Sequence, residues 1–182
     1  MRFDYLLTNR LKLRKITPEV MNHVFTTMQD SDIIDFLALS DFQSLEKEKN
    51  KYRSGLSSFN RSFVNFQLID KKTDKIIGGC GFHTWQTNHN RAELGYGLFY
   101  ENYKRKGLMT EALKAILSYG FNEMNLNRVE ALTSEDNIAS IAVLKHFDFK
   151  FEGILREHYN ANGNMEDSFM YSLLKHEFNL NI

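Results

Sequence analysis

The stretch from residue 91 to residue 124 constrains the fold of this chain more than any other. A segment typical of a β-strand is followed by three consecutive cations at 104–106, by Gly107, and then by a strongly helical segment. In this order the first amides of the helix stay unpaired and point outward, and the helix dipole adds positive potential. Gly107 lets the backbone approach a bulky ligand closely. The stretch therefore predicts an anion site that suits a diphosphate.

The segment of residues 104–110 is here named the basic turn. Two well-known phosphate-binding loops do not match its sequence. A mononucleotide P-loop requires G-x-x-x-x-G-K followed by Ser or Thr, which the sequence lacks. A dinucleotide fingerprint requires three spaced glycines after a strand, whereas only Gly107 is available here and the glycines of 78–81 lie within a predicted strand. The charges alone leave one alternative open, which is a solvated basic turn that only caps the helix.

Composition narrows the class of protein. The chain has 182 residues, which suits one domain over 1–182, and its 23 basic residues balance 23 acidic ones. We therefore expect no nucleic-acid or membrane partner. No segment approaches the roughly 18 apolar residues of a membrane span, and the N-terminus does not resemble a signal peptide, so a cytoplasmic protein is expected. Cys80, the only cysteine, is predicted to be buried and inert, and the six histidines show no metal-ligand spacing, so no metal site is expected.

The periodicity of apolar residues predicts alternating strands and helices. Thr17 and Pro18 are typical of an N-cap and a first helical position. Three consecutive strands with short polar connections over 63–99 indicate an antiparallel meander. The predicted elements are a strand at 10–15, helices beginning at Pro18 and covering 31–39 and 44–59, strands at 63–70, 76–85 and 91–99, a helix at 107–124, a strand at 128–133, a helix at 138–147, and strands at 149–159 and 166–174.

A second signal lies about 30 residues past Gly107, where Asn137-x-x-Ser140 opens a helix directly after a strand. Together the motifs resemble the GNAT superfamily of acyl-CoA-dependent N-acetyltransferases, and within it the branch of ribosomal-protein N-terminal acetyltransferases. The resemblance spans nearly the whole chain in the family's order. The segments that carry it are Thr8 to Arg14, Ile77 to Phe82, Ala92 to Tyr96, Tyr103 to Ala112, Asn137-x-x-Ser140, Phe149-x-x-Glu152-Gly153, and Asp167 with Tyr171 to Leu174.

The resemblance implies an α/β (α+β) fold: a single mixed, mostly antiparallel sheet flanked by helices, with a splayed V between the fourth and fifth strands. The free edge of the fourth strand would bind the pantetheine amides of acetyl-CoA as an added strand would. The basic turn would take the pyrophosphate, and Asn137 would bind the pantetheine arm, although a plain helix cap is the alternative for Asn137. The implied cofactor-binding residues are Leu98, Phe99, Tyr100, Lys104, Arg105, Lys106, Gly107, Leu108, Met109, Thr110 and Asn137.

Acetyl transfer to an amine needs a neutral amine, a stabilised oxyanion and a proton for the leaving thiolate. Glu93, beside the splay, is the candidate base acting through water, unless it pairs with Arg91 or another cation. Ser140 lies one helical turn after Asn137, on the same face, and is the candidate donor to the coenzyme A sulfur; the alternative is a small packed polar residue. A backbone N–H of the splayed strand, at Phe99, is the candidate oxyanion donor.

Four positions depart from the family's pattern. Lys104 stands where the phosphate turn commonly has Gln or Arg. Leu144 stands where the wider family often has a tyrosine acid, which leaves the donor role to Ser140 and is typical of the ribosomal-protein branch. Met109 replaces a small residue in the phosphate turn and would crowd the phosphates. Asp148 replaces a glycine, but aspartate tolerates a left-handed backbone better than most residues, so we expect the turn to survive.

The sequence therefore predicts an acetyl-CoA-dependent N-acetyltransferase that acts by direct transfer. The predicted acceptor is the α-amine of a protein or peptide N-terminus, and the protein is expected to be a monomer or homodimer. One alternative is a polyamine or aminoglycoside acceptor, which carboxylates on the acceptor walls would favour. Candidates for such carboxylates precede the predicted helix at 44–59. Another alternative is a silent acyl-CoA-binding module, although Glu93 and Ser140 are both present. The candidate carboxylates are Asp30, Asp32, Asp35 and Asp41.

Overall fold

A computed structural model of the chain describes residues 1–58 and 60–179. Its strands and helices follow the predicted order, with one additional short strand at the start. The elements are β1 (Tyr5–Leu7), β2 (Leu11–Ile16), α1 (Pro18–Thr27), α2 (Asp30–Leu37), α3 (Phe42–Arg53), β3 (Arg61–Asp70), β4 (Ile76–Gln86), β5 (Arg91–Leu98), α4 (Leu108–Asn122), β6 (Arg128–Thr133), α5 (Ile138–His146), β7 (Lys150–Ala161) and β8 (Asn164–Leu174).

The strands form one sheet in the order β1-β2-β3-β4-β5-β6-β8-β7. Strands β3, β4 and β5 are the predicted antiparallel meander. Strands β5 and β6 run parallel, and their ladder joins only residues 91–93 to 128–130. Helix α4 connects these two strands as a crossover, as a parallel pair requires. Their pairing ends at Glu93 and Glu130, so the strands separate beyond these residues. This confirms the mixed α/β fold and the V, since β5 and β6 are the fourth and fifth strands of the prediction.

Most element boundaries lie within two residues of the prediction, but one strand is additional and one helix ends earlier. Strand β1 was not predicted because three residues, mostly exposed, are too few to show an alternating pattern. Helix α3 ends at Arg53 rather than near residue 59. Gly55 follows with φ +97°, the left-handed backbone that commonly terminates a helix. The predicted end of this helix at Phe59 lies outside the described residues.

Apolar side chains fill both faces of the sheet. The larger cluster lies between the sheet and helices α4 and α5, and a second cluster packs α1, α2 and α3 near Ile16. Phe63 belongs to the second cluster and Phe66 to the first, as alternation along β3 requires. Cys80 is buried in the larger cluster, and burial raises the pKa of its thiol above the usual range. None of the helices in the described part of the chain is long and apolar enough to cross a membrane.

Helix α4 carries the predicted core face and is held very close to the sheet. Its buried residues repeat at helical spacing, and burying one large apolar side chain contributes about 1.5–3 kcal/mol. A Cβ atom at Gly120 would lie 2.4 Å from the Phe82 ring, so only glycine permits this approach. This close packing holds the C-terminal end of α4 against the sheet, and the basic turn lies at the opposite end of the helix. The buried residues of α4 are Leu108, Ala112, Leu113, Ile116, Leu117, Gly120 and Phe121.

Candidate active site

The free edge of β5 faces the V. The N–H of Phe99 donates to the carbonyl of Ile77 at 2.9 Å, so this amide points toward β4. The prediction that the Phe99 N–H is the oxyanion donor is therefore wrong. In an antiparallel pair the direction of the backbone groups alternates, which places the N–H and C=O of Tyr96 and Leu98 on the side away from β4. These two residues, rather than Phe99, direct backbone groups toward the V.

The basic turn (residues 104–110) has the backbone of an anion site. Gly107 is the N-cap of α4 with φ +71° and makes no side-chain cap, so the amides of the first turn stay available. Arg105 is also left-handed, with φ +57°. Lys104 pairs with Glu101, while Arg105 and Lys106 are exposed. Two left-handed residues beside a helix N-terminus produce a concave set of amides, which suits a diphosphate.

Glu111 holds the basic turn in place from the first turn of α4. Its Oε1 accepts hydrogen bonds from the Thr8 hydroxyl and from the Arg10 N–H, both at 2.6 Å, and its Oε2 accepts from Arg10 Nε at 2.6 Å. Arg10 Nη1 also donates to the Lys106 carbonyl at 2.9 Å. Burial alone would raise the pKa of Glu111, but the bonds from Thr8 and Arg10 outweigh it and lower that pKa. Sequence patterns did not reveal this contact, because it joins residues 101 positions apart.

Ser140 lies at the start of α5, close to β5. Asn137 is the N-cap of this helix, and its Oδ1 accepts from the Ser140 N–H at 3.1 Å. The Ser140 Oγ lies 2.8 Å from the Tyr96 hydroxyl. Burial raises the pKa of Tyr96 to about 12, against a smaller opposite effect of the Ser140 hydrogen bond. Leu144, one turn further on, is buried. The structure thus joins Ser140 to a protonated tyrosine on β5 that the sequence did not single out.

Glu93 is the last residue of β5 that pairs with β6, so it marks the point where the V opens. The alternative pairing with Arg91 is wrong, because Arg91 Nη1 donates to both carboxylate oxygens of Glu130 at 3.0 Å. Glu93 instead faces His83 across β4 and β5, with 3.7 Å between Oε2 and Nδ1. The Glu93 side chain is 26% exposed, so water reaches it. Such a carboxylate can accept a proton through a bridging water.

A groove of about 510 Å³, here named the β4–β5 groove, opens on the sheet face covered by α1 to α3. Among its described lining residues the formally charged side chains are Glu48 and Lys51, and Lys51 forms an ion pair with Glu48. His83 lies at the end nearest Glu93. The walls are therefore mostly apolar, with little net charge. Apolar lining residues are Ile16, Met21, Leu37, Leu56, Phe63 and Phe99.

The four aspartates considered for a polycation site do not line this groove. Asp32 and Asp35 border a different depression, near Arg14. Asp30 pairs with Lys49, and Asp41 caps α3 by accepting from the Ser44 N–H. Among the described residues, the carboxylate that lines the β4–β5 groove is Glu48, and it is already paired with Lys51 rather than open to a polyamine.

One buried polar atom bears on whether acetyl-CoA fits the V. The Thr133 side chain ends β6, and its hydroxyl is the one buried side-chain polar atom without a hydrogen-bond partner in the described part of the chain. Thr133 is 8% exposed. A buried hydroxyl without a partner is costly, and a ligand with amide groups would satisfy it. The free edge of β5, the amides of the basic turn and this hydroxyl together fit the polar groups of acetyl-CoA.

Comparison with known proteins agrees with this geometry. A family model described as "Acetyltransferase (GNAT) domain" matches residues 10–150. The chain is 34% identical over 176 residues to the uncharacterized N-acetyltransferase p20 of Bacillus licheniformis, which covers 96% of this chain and 98% of that protein. It is 28% identical over 90 residues to spermidine N(1)-acetyltransferase of Escherichia coli (strain K12). That match covers 50% of this chain and 48% of the spermidine N(1)-acetyltransferase.

Solved structures show the same fold. Ribosomal-protein-S5-alanine acetyltransferase from Vibrio fischeri superposes with a TM-score of 0.68 and 19% identity, covering 97% of this chain and 99% of that chain. The family match over residues 10–150 includes the basic turn, the V and the start of α5. The chain therefore belongs to the GNAT family of acetyltransferases, which use acetyl-CoA, and it is an N-acetyltransferase enzyme.

Proposed function

We propose that this enzyme transfers the acetyl group of acetyl-CoA to the α-amine of a protein or peptide N-terminus. The observation that carries the proposal is the character of the β4–β5 groove, whose walls are apolar and whose two charged lining residues pair with each other. A peptide N-terminus brings a single amine attached to an uncharged chain, which suits such walls. A polyamine brings several positive charges, which these walls would leave unpaired.

The chemistry of the amine supports the same acceptor. An α-amine has a pKa of about 7.7–8.0, and a lysine-like amine about 10.4. An α-amine therefore needs little help to become neutral near pH 7, and a carboxylate acting through water is sufficient. Glu93 is the proposed base, because it is partly exposed and lies at the opening of the V. A chain of waters would pass the proton from the amine to Glu93.

Ser140 and Tyr96 are proposed to supply the proton that the leaving thiolate requires. Their hydroxyls are 2.8 Å apart, and Tyr96 is protonated at neutral pH, since burial moves its pKa from the ordinary value near 10 further up, to about 12. Ser140 would donate its proton to the sulfur as the carbon–sulfur bond breaks, the Tyr96 hydroxyl would pass its proton to the Ser140 oxygen, and water would return a proton to Tyr96. The N–H of Leu98 is the proposed oxyanion donor in place of Phe99, because Phe99 already bonds Ile77.

We further propose that acetyl-CoA lies along the free edge of β5 with its pyrophosphate at the basic turn. The support is the unpaired helix N-terminus at Gly107, the exposed Arg105 and Lys106, and the buried hydroxyl of Thr133. Asn137 caps α5 through its side-chain oxygen, which leaves its amide nitrogen for the pantetheine arm. The remaining residues that the resemblance implies for cofactor binding are also proposed to contact acetyl-CoA. They are Leu98, Phe99, Tyr100, Lys104, Leu108, Met109 and Thr110.

The partial similarity to a spermidine N(1)-acetyltransferase makes spermidine the second candidate acceptor. A direct test uses mass spectrometry of the enzyme incubated with acetyl-CoA, peptides that differ in their first residue, spermidine and an aminoglycoside. Peptides beginning with alanine belong in the set, because the Vibrio fischeri structure is named for alanine of ribosomal protein S5. Acetylation on a peptide α-amine is the expected result. Product on spermidine or the aminoglycoside, with none on any peptide, would contradict the proposal.

A further inference from the structure

Two glycines face each other on the floor of the β4–β5 groove. Gly79 of β4 and Gly97 of β5 are cross-strand partners, and both line the groove. A Cβ atom built at Gly97 has no neighbour within 4 Å, and one at Gly79 meets only the Phe66 carbonyl at 3.8 Å. Neither glycine has a positive φ. The fold alone would accept a side chain at both positions.

Other glycines of the same strands are different. A Cβ at Gly81 would lie 2.4 Å from the Cα of Asn65, and one at Gly78 would lie 2.4 Å from the Gly97 carbonyl. Packing of the backbone therefore requires glycine at 78 and 81, whereas Gly79 and Gly97 leave empty space above the sheet.

Glycine in the interior of a strand weakens the strand, and it often marks a place where a ligand approaches the backbone. We propose that Gly79 and Gly97 are specificity-determining residues that form a side-chain-free floor for the acceptor. The inference rests on the proposed function for its ligand, which is the extended chain of a peptide N-terminus. The first residues of the peptide would lie flat on this pair, with the amine directed toward Glu93 and the V.

The position of the pair supports this placement. Along β5, positions 93, 95 and 97 alternate onto the face of the groove, so Glu93 and Gly97 lie on the same face, four residues apart. A strand rises about 3.4 Å per residue, which separates them by roughly 14 Å. The amine must meet the acetyl carbon beside the Leu98 N–H, next to Gly97, so waters along this stretch would connect the amine to Glu93. The walls beside the floor are apolar, and they suit uncharged first residues.

The test uses the full-length enzyme and the variants Gly97→Ala, Gly97→Val and Gly81→Ala. For the accepted peptide we expect KM to rise several-fold in Gly97→Ala and at least tenfold in Gly97→Val. The Kd of acetyl-CoA, measured by calorimetry, should stay within twofold, and the melting temperature should not fall, because valine favours strands. Gly81→Ala is the matched control, and it should lower the melting temperature because of the clash with Asn65.

An unchanged peptide KM in Gly97→Val would overturn the inference. A loss of acetyl-CoA affinity as large as the rise in KM would also overturn it, because Gly97 would then belong to the cofactor edge. Failure of the proposed function looks different: the wild type would acetylate spermidine and no peptide. In that case a raised spermidine KM in Gly97→Val would support Gly79 and Gly97 as the acceptor floor but show that the acceptor is not a peptide. An unchanged spermidine KM would overturn both the floor and the peptide acceptor.

Discussion

At the scale of single residues, the hydroxyls of Tyr96 and Ser140 are the closest pair of candidate catalytic groups. Their separation of 2.8 Å joins β5 to the first turn of α5. Tyrosine is protonated at neutral pH at its ordinary pKa near 10, and burial raises the pKa of Tyr96 further, to about 12, so both hydroxyls keep their protons throughout the neutral range. A serine alone is a poor acid, so the tyrosine gives it a route for reprotonation.

We therefore expect Ser140→Ala to lower kcat by about 10²–10⁴-fold, since a positioned proton donor acts in the transition state. The Kd of acetyl-CoA should change much less. Tyr96→Phe should lower kcat by a smaller factor, because Ser140 would remain near the sulfur. Steady-state kinetics and calorimetry measure both quantities. Ser118→Ala on α4 is a control that should leave them unchanged, and an unaltered kcat in Ser140→Ala would remove Ser140 from the mechanism.

Thr133 makes a second prediction at this scale. An unpaired buried hydroxyl costs about 1–3 kcal/mol, so Thr133→Val should leave the free enzyme as stable as the wild type or more stable. If acetyl-CoA supplies the missing partner, the variant should bind it about 2- to 10-fold more weakly. Thermal unfolding and calorimetry test the two parts separately.

Ser168→Ala is the matched control for Thr133→Val. Ser168 is also buried, but its hydroxyl already lies 3.1 Å from His158 Nδ1. This control should lower the melting temperature and leave the Kd of acetyl-CoA unchanged. A Thr133→Val enzyme that binds acetyl-CoA like the wild type would show that the hydroxyl does not face the ligand.

At the scale of elements, the N-terminus of α4 depends on contacts from the start of β2. Arg10, directly before that strand, holds Glu111 and the Lys106 carbonyl, so the basic turn is fixed from the sheet as well as from its own helix. An anion site on a fixed turn loses less entropy on binding than a mobile loop would. The helix supplies the amides, and the first strand pair decides where they point.

Gly107→Val should weaken acetyl-CoA binding at least tenfold by calorimetry. The side chain would occupy the concave turn, and a left-handed backbone at φ +71° costs a branched residue roughly 1–2 kcal/mol. Gly107→Asn separates the two effects, because asparagine tolerates this backbone but still carries a side chain. We expect Gly107→Asn to be more stable than Gly107→Val but still to bind acetyl-CoA weakly. Wild-type affinity in Gly107→Asn would place the phosphates elsewhere.

At the scale of the whole molecule, one carboxylate links the three strands beyond the V. Glu152 on β7 accepts from Arg128 on β6 at 2.6 Å and from Ser172 on β8. The Arg128 hydrogen bond, followed by that of Ser172, lowers the pKa of Glu152 to about 2, against the opposite effect of burial. A lowered folded-state pKa gives stability that is present above the unfolded pKa near 4.5 and is lost as the pH falls toward 2.

Glu152→Gln should therefore lower the urea midpoint at pH 7, and the difference from the wild type should shrink as the pH falls from about 4.5 toward 2. Urea unfolding at several pH values measures this. Asp74→Asn serves as the control, because Asp74 lies on the turn between β3 and β4 and its ion pair with Lys12 is exposed to solvent. A difference that stays constant down to pH 2 would show that the ionised form of Glu152 does not stabilise the fold.

Local patterns in the sequence predicted several details that the structure confirms. Thr17 caps α1 by accepting from the Val20 N–H, as its position before Pro18 indicated. Asp148 has φ +58°, the left-handed backbone expected where the family's pattern has glycine. In each case the deciding interactions lie within a few residues, so the sequence contains them directly.

Predictions failed where a contact joins distant segments. The donor direction of Phe99 depends on its register with Ile77, and a shift of one residue reverses every backbone group along the edge. The pairing of Tyr96 with Ser140 spans 44 positions, and no periodic pattern indicates it. The family resemblance located the V, but it could not show which amide faces it.

The sequence by itself determined the order of the elements, the core face of α4 and the position of three cations and a glycine before its first turn, because propensity, periodicity and capping act over short distances. Tertiary structure alone decided that Gly79 and Gly97 meet beneath an open groove, that Arg10 reaches Glu111, and that the aspartates before α3 lie away from this groove. Strand register and helix docking set these contacts. They depend on how the whole chain packs, which no short segment contains.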